Sequence, residues 1–152
     1  MTPFPEEPYR PFHILLVEDE PGDVEMIRIA ITEGRYPCQI TVAEDGIEAL
    51  SLLQRPSPAP LPLPDLVLLD LNMPRMNGRD VLKAMKADPA LARIPVVVLT
   101  TSEAERDIAQ SYDLGAASYV VKPIDVEQIF HAIHGIEDYW FGIVRSRPPH
   151  AG

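Results

Sequence analysis

The chain has a single cysteine, Cys38, among 152 residues. No internal disulfide can form, and such usage fits a reducing, cytoplasmic compartment. Positive charge is scarce: 13 Lys and Arg against 23 Asp and Glu leave a net charge of −10. Lys83 and Lys86 stand apart, and Arg145 and Arg147 fall in the C-terminal tail, so no basic patch offers a nucleic-acid surface. No apolar run approaches the roughly 20 residues that cross a bilayer, which predicts no membrane partner. The first residues carry Glu6 and Glu7 among prolines, without the basic start and apolar core of a secretory leader. What remains is the length and composition of one folded, soluble domain.

Proline is abundant, with 17 residues, and it marks boundaries. Residues 1–11 read as a flexible N-terminal arm. The run from Pro56 to Pro64 reads as an extended, polyproline-like spacer, with a docking segment as the alternative. Between these, strand patterns fall near 12–17, 39–42, 67–70, 94–99 and 118–121. Helix patterns fall near 24–33, 47–54, 78–88, 103–114 and 125–143. Regular alternation predicts an α/β fold, a parallel sheet covered on both faces.

Four apolar runs end in groups that carry chemistry. Ile14-Leu15-Leu16-Val17 ends in Glu18-Asp19, and Val67-Leu68-Leu69 ends in Asp70. Val96-Val97-Val98-Leu99 ends in Thr100-Thr101, and Tyr119-Val120-Val121 ends in Lys122-Pro123. In a parallel sheet these ends share the edge where ligands bind. An unpartnered buried charge costs several kcal/mol in order of magnitude, so Asp70 belongs where its strand opens onto solvent, a metal or a reacting group. Gathered carboxylates repel unless a cation or a shared proton intervenes. Magnesium, a hard ion bound by oxygen, is the natural candidate. Asp19, Asp70 and the Asn72 main-chain carbonyl could supply ligands, with Glu18 acting one step further out. Lys122 adds a positive charge and Thr100 a hydroxyl. That set suits a transferring phosphoryl group, whose catalysis is alignment and charge neutralisation, with a carboxylate as nucleophile.

Taken singly, each residue has a plainer reading. Asp70, Asp19 and Glu18 could cap helices or form turns. Thr101 or Ser102 could open a capping box with Glu103, leaving Thr100 a bystander. Lys122 could be an ordinary surface lysine. Four successive strand ends bearing complementary groups in this order favour the site.

With these motifs in view, the chain resembles a response-regulator receiver domain, the phosphoacceptor half of bacterial two-component signalling. The resemblance rests on Leu16-Val17-Glu18-Asp19-Glu20, Ala43-Glu44-Asp45-Gly46-Ile47-Glu48-Ala49-Leu50, Asp65 through Gly78, Pro95 through Thr100, and Gly115 through Pro123. It implies a flavodoxin-like three-layer sandwich over residues 12–144, with five helices and a five-stranded parallel sheet of order 2-1-3-4-5. Residues 145–152 are then a tail. It further implies that Asp70 is the phosphoacceptor, and that Glu18, Asp19, Asp70 and the Asn72 carbonyl hold Mg2+. Thr100 matches the switch hydroxyl, Tyr119 the switch aromatic and Lys122 the phosphate contact, and the Lys122-Pro123 bond is expected to be cis. Glu18 departs from the aspartate often found first in the acidic pair.

Family behaviour implies that Thr100 moves toward the phosphoryl group and Tyr119 turns inward. The helix expected at 103–114 has a sparse apolar stripe, Ala104, Ile108 and Ala109, and suits a bistable element. Too little chain follows Val144 for an output module, so a standalone regulator signalling through its own contacts is expected. On the first helix Val24, Ile27 and Ile31 share the core stripe, leaving Met26 and Ile29 to dock a sensor histidine kinase. On the last helix Val126, Ile129, Ile133, Ile136 and Trp140 keep a coiled-coil-like spacing beyond what one sheet face needs. Tyr139, Trp140 and Phe141 are the expected homodimer surface. The long aromatic-ended helix and the proline-bearing arm are similar to receivers partnered with bacteriophytochrome kinases. Two alternatives stand beside this reading, a phosphate sink or shuttle and an aspartyl-nucleophile phosphatase. The second lacks its usual Asp-x-Asp acid, because position 72 is asparagine.

Thr101 is bulkier than the alanine or glycine often found beside the switch hydroxyl, and should slow water's approach to a phosphoaspartate. Phosphoryl loss from Thr101→Ala, followed by mass spectrometry after the donor is removed, is expected to be faster than from the wild type. Faster decay in the wild type would refute this.

Overall fold

Apolar runs without polar interruption form strands that must be covered on both faces, and the pleat sorts alternate residues to opposite sides. The computed structural model describes residues 12–33, 38–54, 63–73, 76–101, 118–122 and 125–139. Its strands are β1 (Phe12–Val17), β2 (Cys38–Ala43), β3 (Leu66–Asp70), β4 (Val96–Thr101) and β5 (Ser118–Lys122). The helices among the described residues are α1 (Pro21–Thr32), α2 (Gly46–Leu53), α3 (Gly78–Ala87), the short α4 (Pro89–Ala92) and α5 (Val126–Tyr139). All strand pairs are parallel and the order is β2-β1-β3-β4-β5, as the resemblance implied.

Two cores result. Leu15, Val17, Val67, Leu69, Val96 and Val98 face α2, α3 and α4, with Ala49, Leu53, Val81, Leu82, Met85 and Leu91 packed against them. Phe12, Ile14, Leu16, Leu66, Leu68, Val97 and Leu99 face α1 and α5 through Ile27, Ala30, Ile31, Ile129 and Ile133. A fully buried aliphatic side chain contributes about 1.5–3 kcal/mol. Five such strands therefore offset the cost of holding two carboxylates, Glu18 and Asp70, out of water.

Side-chain caps open every one of these helices. The Glu20 carboxylate accepts from the Asp23 N–H, Asp45 from Glu48, Asn77 from Asp80, Asp88 from Ala90 and Asp125 from Gln128. The capping residue of α1 is thus Glu20, with Pro21 in the first turn, and the helix starts three residues before the expected Val24. Neither Glu18 nor Asp19 serves as the cap. Pro89, just past the helix expected at 78–88, opens the short α4, because its fixed φ and missing N–H suit a first turn.

Two expectations on the helix surfaces separate. Ile29 is 38% exposed. Met26, expected to point away from the core, is partly buried against the α1/α5 core. The helix expected at 103–114, the arm 1–11, residues 56–62 of the proline run, Pro123, and everything from Trp140 onward, Phe141 included, lie outside the described residues. Pro64 leads into Asp65, whose N–H donates to the His13 carbonyl at 2.7 Å while its carboxylate accepts from the His13 N–H at 2.9 Å. The chain just after Pro64 is therefore anchored at the sheet edge opposite the acids.

Gly78 lies directly beneath the end of β3. A Cβ there would collide with the Asp70 carbonyl oxygen and sit 2.8 Å from Leu71 Cα. Both are backbone atoms that cannot rotate away. Gly78→Ala should destabilise the protein by about 1–3 kcal/mol, the usual cost of overpacking, read as a shift of the urea midpoint. An unchanged midpoint would show that the turn has slack.

Candidate functional site

The strand order turns in opposite directions from β1, toward β2 on one side and β3 on the other. A crevice at such a reversal, at the C-terminal strand ends, is where open parallel sheets bind ligands. Glu18 follows β1 with its N–H donated to the Ala43 carbonyl at 3.0 Å. Its side chain is wholly buried, whereas Asp19 beside it is exposed. Asp70 closes β3 at 1% exposure, and the Leu71 N–H continues the ladder to the Leu99 carbonyl at 3.0 Å. The Asn72 N–H donates to Asp70 Oδ1 at 3.0 Å, which orients that carboxylate. One oxygen each from Glu18, Asp19 and Asp70 lie within 4.8 Å of one another.

Lys122, at the end of β5, completes the cluster. Its ammonium lies 3.0 Å from Asp23 Oδ2, 3.1 Å from Glu18 Oε1 and 3.4 Å from Asp70 Oδ2. Its contact with Glu18 joins residues 104 positions apart. Asp23 was not anticipated as part of the site. In the sequence it reads as an acid favoured by the positive end of a helix, and only the approach of β5 to the start of α1 gives it a partner.

Glu18 and Lys122 do not titrate as a simple pair. Burial pushes the Glu18 carboxyl from its ordinary 4.5 up to about 7, and the Asp70 charge adds to this; Lys122 only partly opposes it. Burial pulls the Lys122 ammonium down. The Asp23 hydrogen bond and the charges of Asp70 and Glu18 outweigh that and hold it above the usual lysine range. The asymmetry follows from the surroundings: the Lys122 ammonium faces three acids, while Glu18 faces one cation against the Asp70 charge and is closed to solvent.

That excess of acid is a fit test for a metal. Asp19, Asp70 and Glu18 are hard oxygen donors. Glu18 Oε1 faces the ammonium but accepts no aligned hydrogen bond although it is buried, so it has capacity for another cation. Such a donor set suits a hard divalent ion. Glu18 lies within this cluster of acids.

Thr100 lies one residue beyond Leu99, the β4 partner of Asp70, and pairs with Val121; Tyr119 pairs with Val98. Their backbones thus lie on β4 beside Lys122 and on β5, the strand that carries Lys122, while their side chains lie outside the described residues. Thr101 remains in β4 opposite Lys122, while Ser102, the other residue read as a helix cap, lies outside the described residues.

Residues 14–134 match the model of the response regulator receiver domain. The chain belongs to the response regulator receiver family. This receiver is 38% identical over 140 residues to the response regulator Rcp1 of Synechocystis sp., an alignment covering 91% of this chain and 95% of Rcp1. The structure of the Mn(2+)-bound form of Rcp1 superimposes with a TM-score of 0.73, covering 88% of this chain and 96% of that one. The phosphorylated cyanobacterial phytochrome response regulator RcpA is 43% identical with a TM-score of 0.74, covering 86% and 94% of the two chains. The bacteriophytochrome response regulator RtBRR is 36% identical with a TM-score of 0.75, covering 92% and 86%. Phosphorylation on an aspartate in two-component signalling is therefore the function of this fold here. No helix among the described residues is long and apolar enough to cross a membrane.

The raised Glu18 value has a definite sign. Its contribution to stability is fully present below about pH 4.5 and is lost as pH rises toward about 7. With a chelator present, the stability of wild type relative to Glu18→Gln should fall across that window, measured by urea unfolding at several pH values. A flat difference would mean that the buried carboxyl ionises without cost.

Proposed function

We propose that this receiver, spanning residues 12–144, is a standalone response regulator that takes a phosphoryl group from a sensor histidine kinase onto Asp70, with Mg2+ as the cation. The observation that carries the reading is the convergence on Asp70 of Glu18 and Asp19, with oxygens within 4.8 Å, and of the Lys122 ammonium at 3.4 Å.

In the transfer, an Asp70 carboxylate oxygen attacks the phosphorus of the kinase phosphohistidine. The new O–P bond forms as the P–N bond breaks, and the electron pair leaves with the imidazole nitrogen. Asn72 holds one acceptor oxygen through its N–H, so the carboxylate does not have to be oriented during the reaction. Lys122 offsets the roughly −1.5 to −2 charge that a phosphoryl group brings. When bound by Glu18, Asp19, Asp70 and the Asn72 carbonyl, a divalent cation supplies further neutralisation of the phosphoryl oxygens. The Mn(2+) named for Rcp1 supports such a cation here. Catalysis is confined to the protein's own aspartate, in gain and in loss of the group, so the chain is not an enzyme toward outside substrates.

Thr100 and Tyr119 then act as the switch pair on β4 and β5. Ile29 on α1, which is exposed, contributes to kinase docking. The relatives named for phytochromes support a bacteriophytochrome as that kinase and a cytoplasmic setting. Output passes through altered contacts of the receiver, including a homodimer formed around Tyr139, Trp140 and Phe141.

Incubation with acetyl phosphate and Mg2+ should add about 80 Da, the mass of one phosphoryl group on a carboxylate. The gain should vanish in Asp70→Asn and on chelation. A gain that survives Asp70→Asn would move the acceptor elsewhere. Sustained turnover of small phosphoesters would favour a phosphatase.

A further inference from the structure

We propose that Asp23 is a positioning residue for phosphoryl transfer: it tethers the Lys122 ammonium from α1 so that this cation faces the acceptor. The inference rests on the reading of Asp70 and Lys122 given above.

Lysine carries its charge on a flexible four-carbon stem with three donors that rotate freely. Left to itself, such a group does not hold one direction. Here the ammonium sits between two anchors from different elements. Glu18, wholly buried after β1, holds it from within, its Oε2 accepting from the ammonium at 3.3 Å. Asp23, with a side chain 24% exposed, holds it from the rim at 3.0 Å, the shortest of its ionic contacts. Asp70 lies farthest, at 3.4 Å. Two donors are thus committed to fixed anchors, and the third points at the oxygen where phosphoryl chemistry takes place. Asp23 is itself set in place, since its N–H donates to Glu20 Oε1 at 3.1 Å within the first turn of α1. The tether therefore joins the end of β5 to the start of α1.

The arrangement has a consequence for the rate. Without the Asp23 charge, Lys122 keeps only Glu18 and Asp70 as partners and closes onto the unphosphorylated pair. An acceptor oxygen engaged in that way is a weaker nucleophile, and the ammonium no longer stands where the incoming phosphoryl oxygens need it. A misplacement of about 1 Å can cost on the order of 10²-fold in rate, so loss of one of two anchors is expected to cost about tenfold.

The test is a double-mutant cycle on the full chain, following phosphorylation by acetyl phosphate with mass spectrometry. Asp23→Asn should be about tenfold slower than wild type, and Asp23→Glu should recover most of the rate. Lys122→Met should be slower still, and adding Asp23→Asn to it should change nothing further. Urea midpoints of all variants separate a folding defect from a rate effect. A wild-type rate in Asp23→Asn, or the same factor lost in both lysine backgrounds, overturns the tether. If Lys122→Met itself matches wild type while Asp70→Asn abolishes the mass gain, the assigned role of Lys122 fails and the tether falls with it.

Discussion

The structure turns on two carboxylates kept out of water around one shared ammonium. Glu18 and Asp70 are both buried, a placement that costs several kcal/mol in order of magnitude when uncompensated. Lys122 supplies part of the compensation, but one positive charge cannot satisfy Glu18, Asp23 and Asp70 together. The site is thus left with a standing demand for positive charge. That unmet demand is also its competence, since a divalent cation and a phosphorylated acceptor exploit the same field.

The remainder of the fold makes this arrangement affordable and rigid. Alternate residues of β1, β3 and β4 feed two separate cores, so the strands that carry Glu18 and Asp70 are clamped from both faces. Gly78 lets the turn after β3 lie against the Asp70 carbonyl, where any side chain would intrude. The α1 helix has two attachments: its apolar stripe packs against the sheet and α5, and its first turn reaches the site through Asp23. Charge at the strand ends and packing of the helical layer are thereby linked by one element.

Much of this was legible in the residues, and the misreadings have physical causes. Strand ends that pass abruptly from Val and Leu to Asp, Glu or Lys give a strong signal, because the change in burial cost is large and local. Helix starts gave a weaker one. Several acids stand near the start of α1, and which of them caps depends on the path of the turn, so Glu20 took the role open to Asp19 and Glu18. Pro89 can end one helix or begin another, and only the geometry after Asp88 distinguishes them. Met26 was assigned outward by helical spacing alone. The core on that side of the sheet is wide enough to cover a flanking position as well.

What the linear order settled by itself was the class of fold, the edge at which chemistry collects and the identity of the acids there. Those follow from periodicity and from the cost of burying charge, both properties of neighbouring residues. What the tertiary structure decided was which charges meet. Lys122 finds Glu18, Asp23 and Asp70 across 104, 99 and 52 positions of chain, and spacing along a sequence carries no information about contacts between strands that are not consecutive. Electrostatic partners are chosen by packing, because apolar burial sets where the strand ends lie and the charged side chains then pair with whatever that geometry brings within reach.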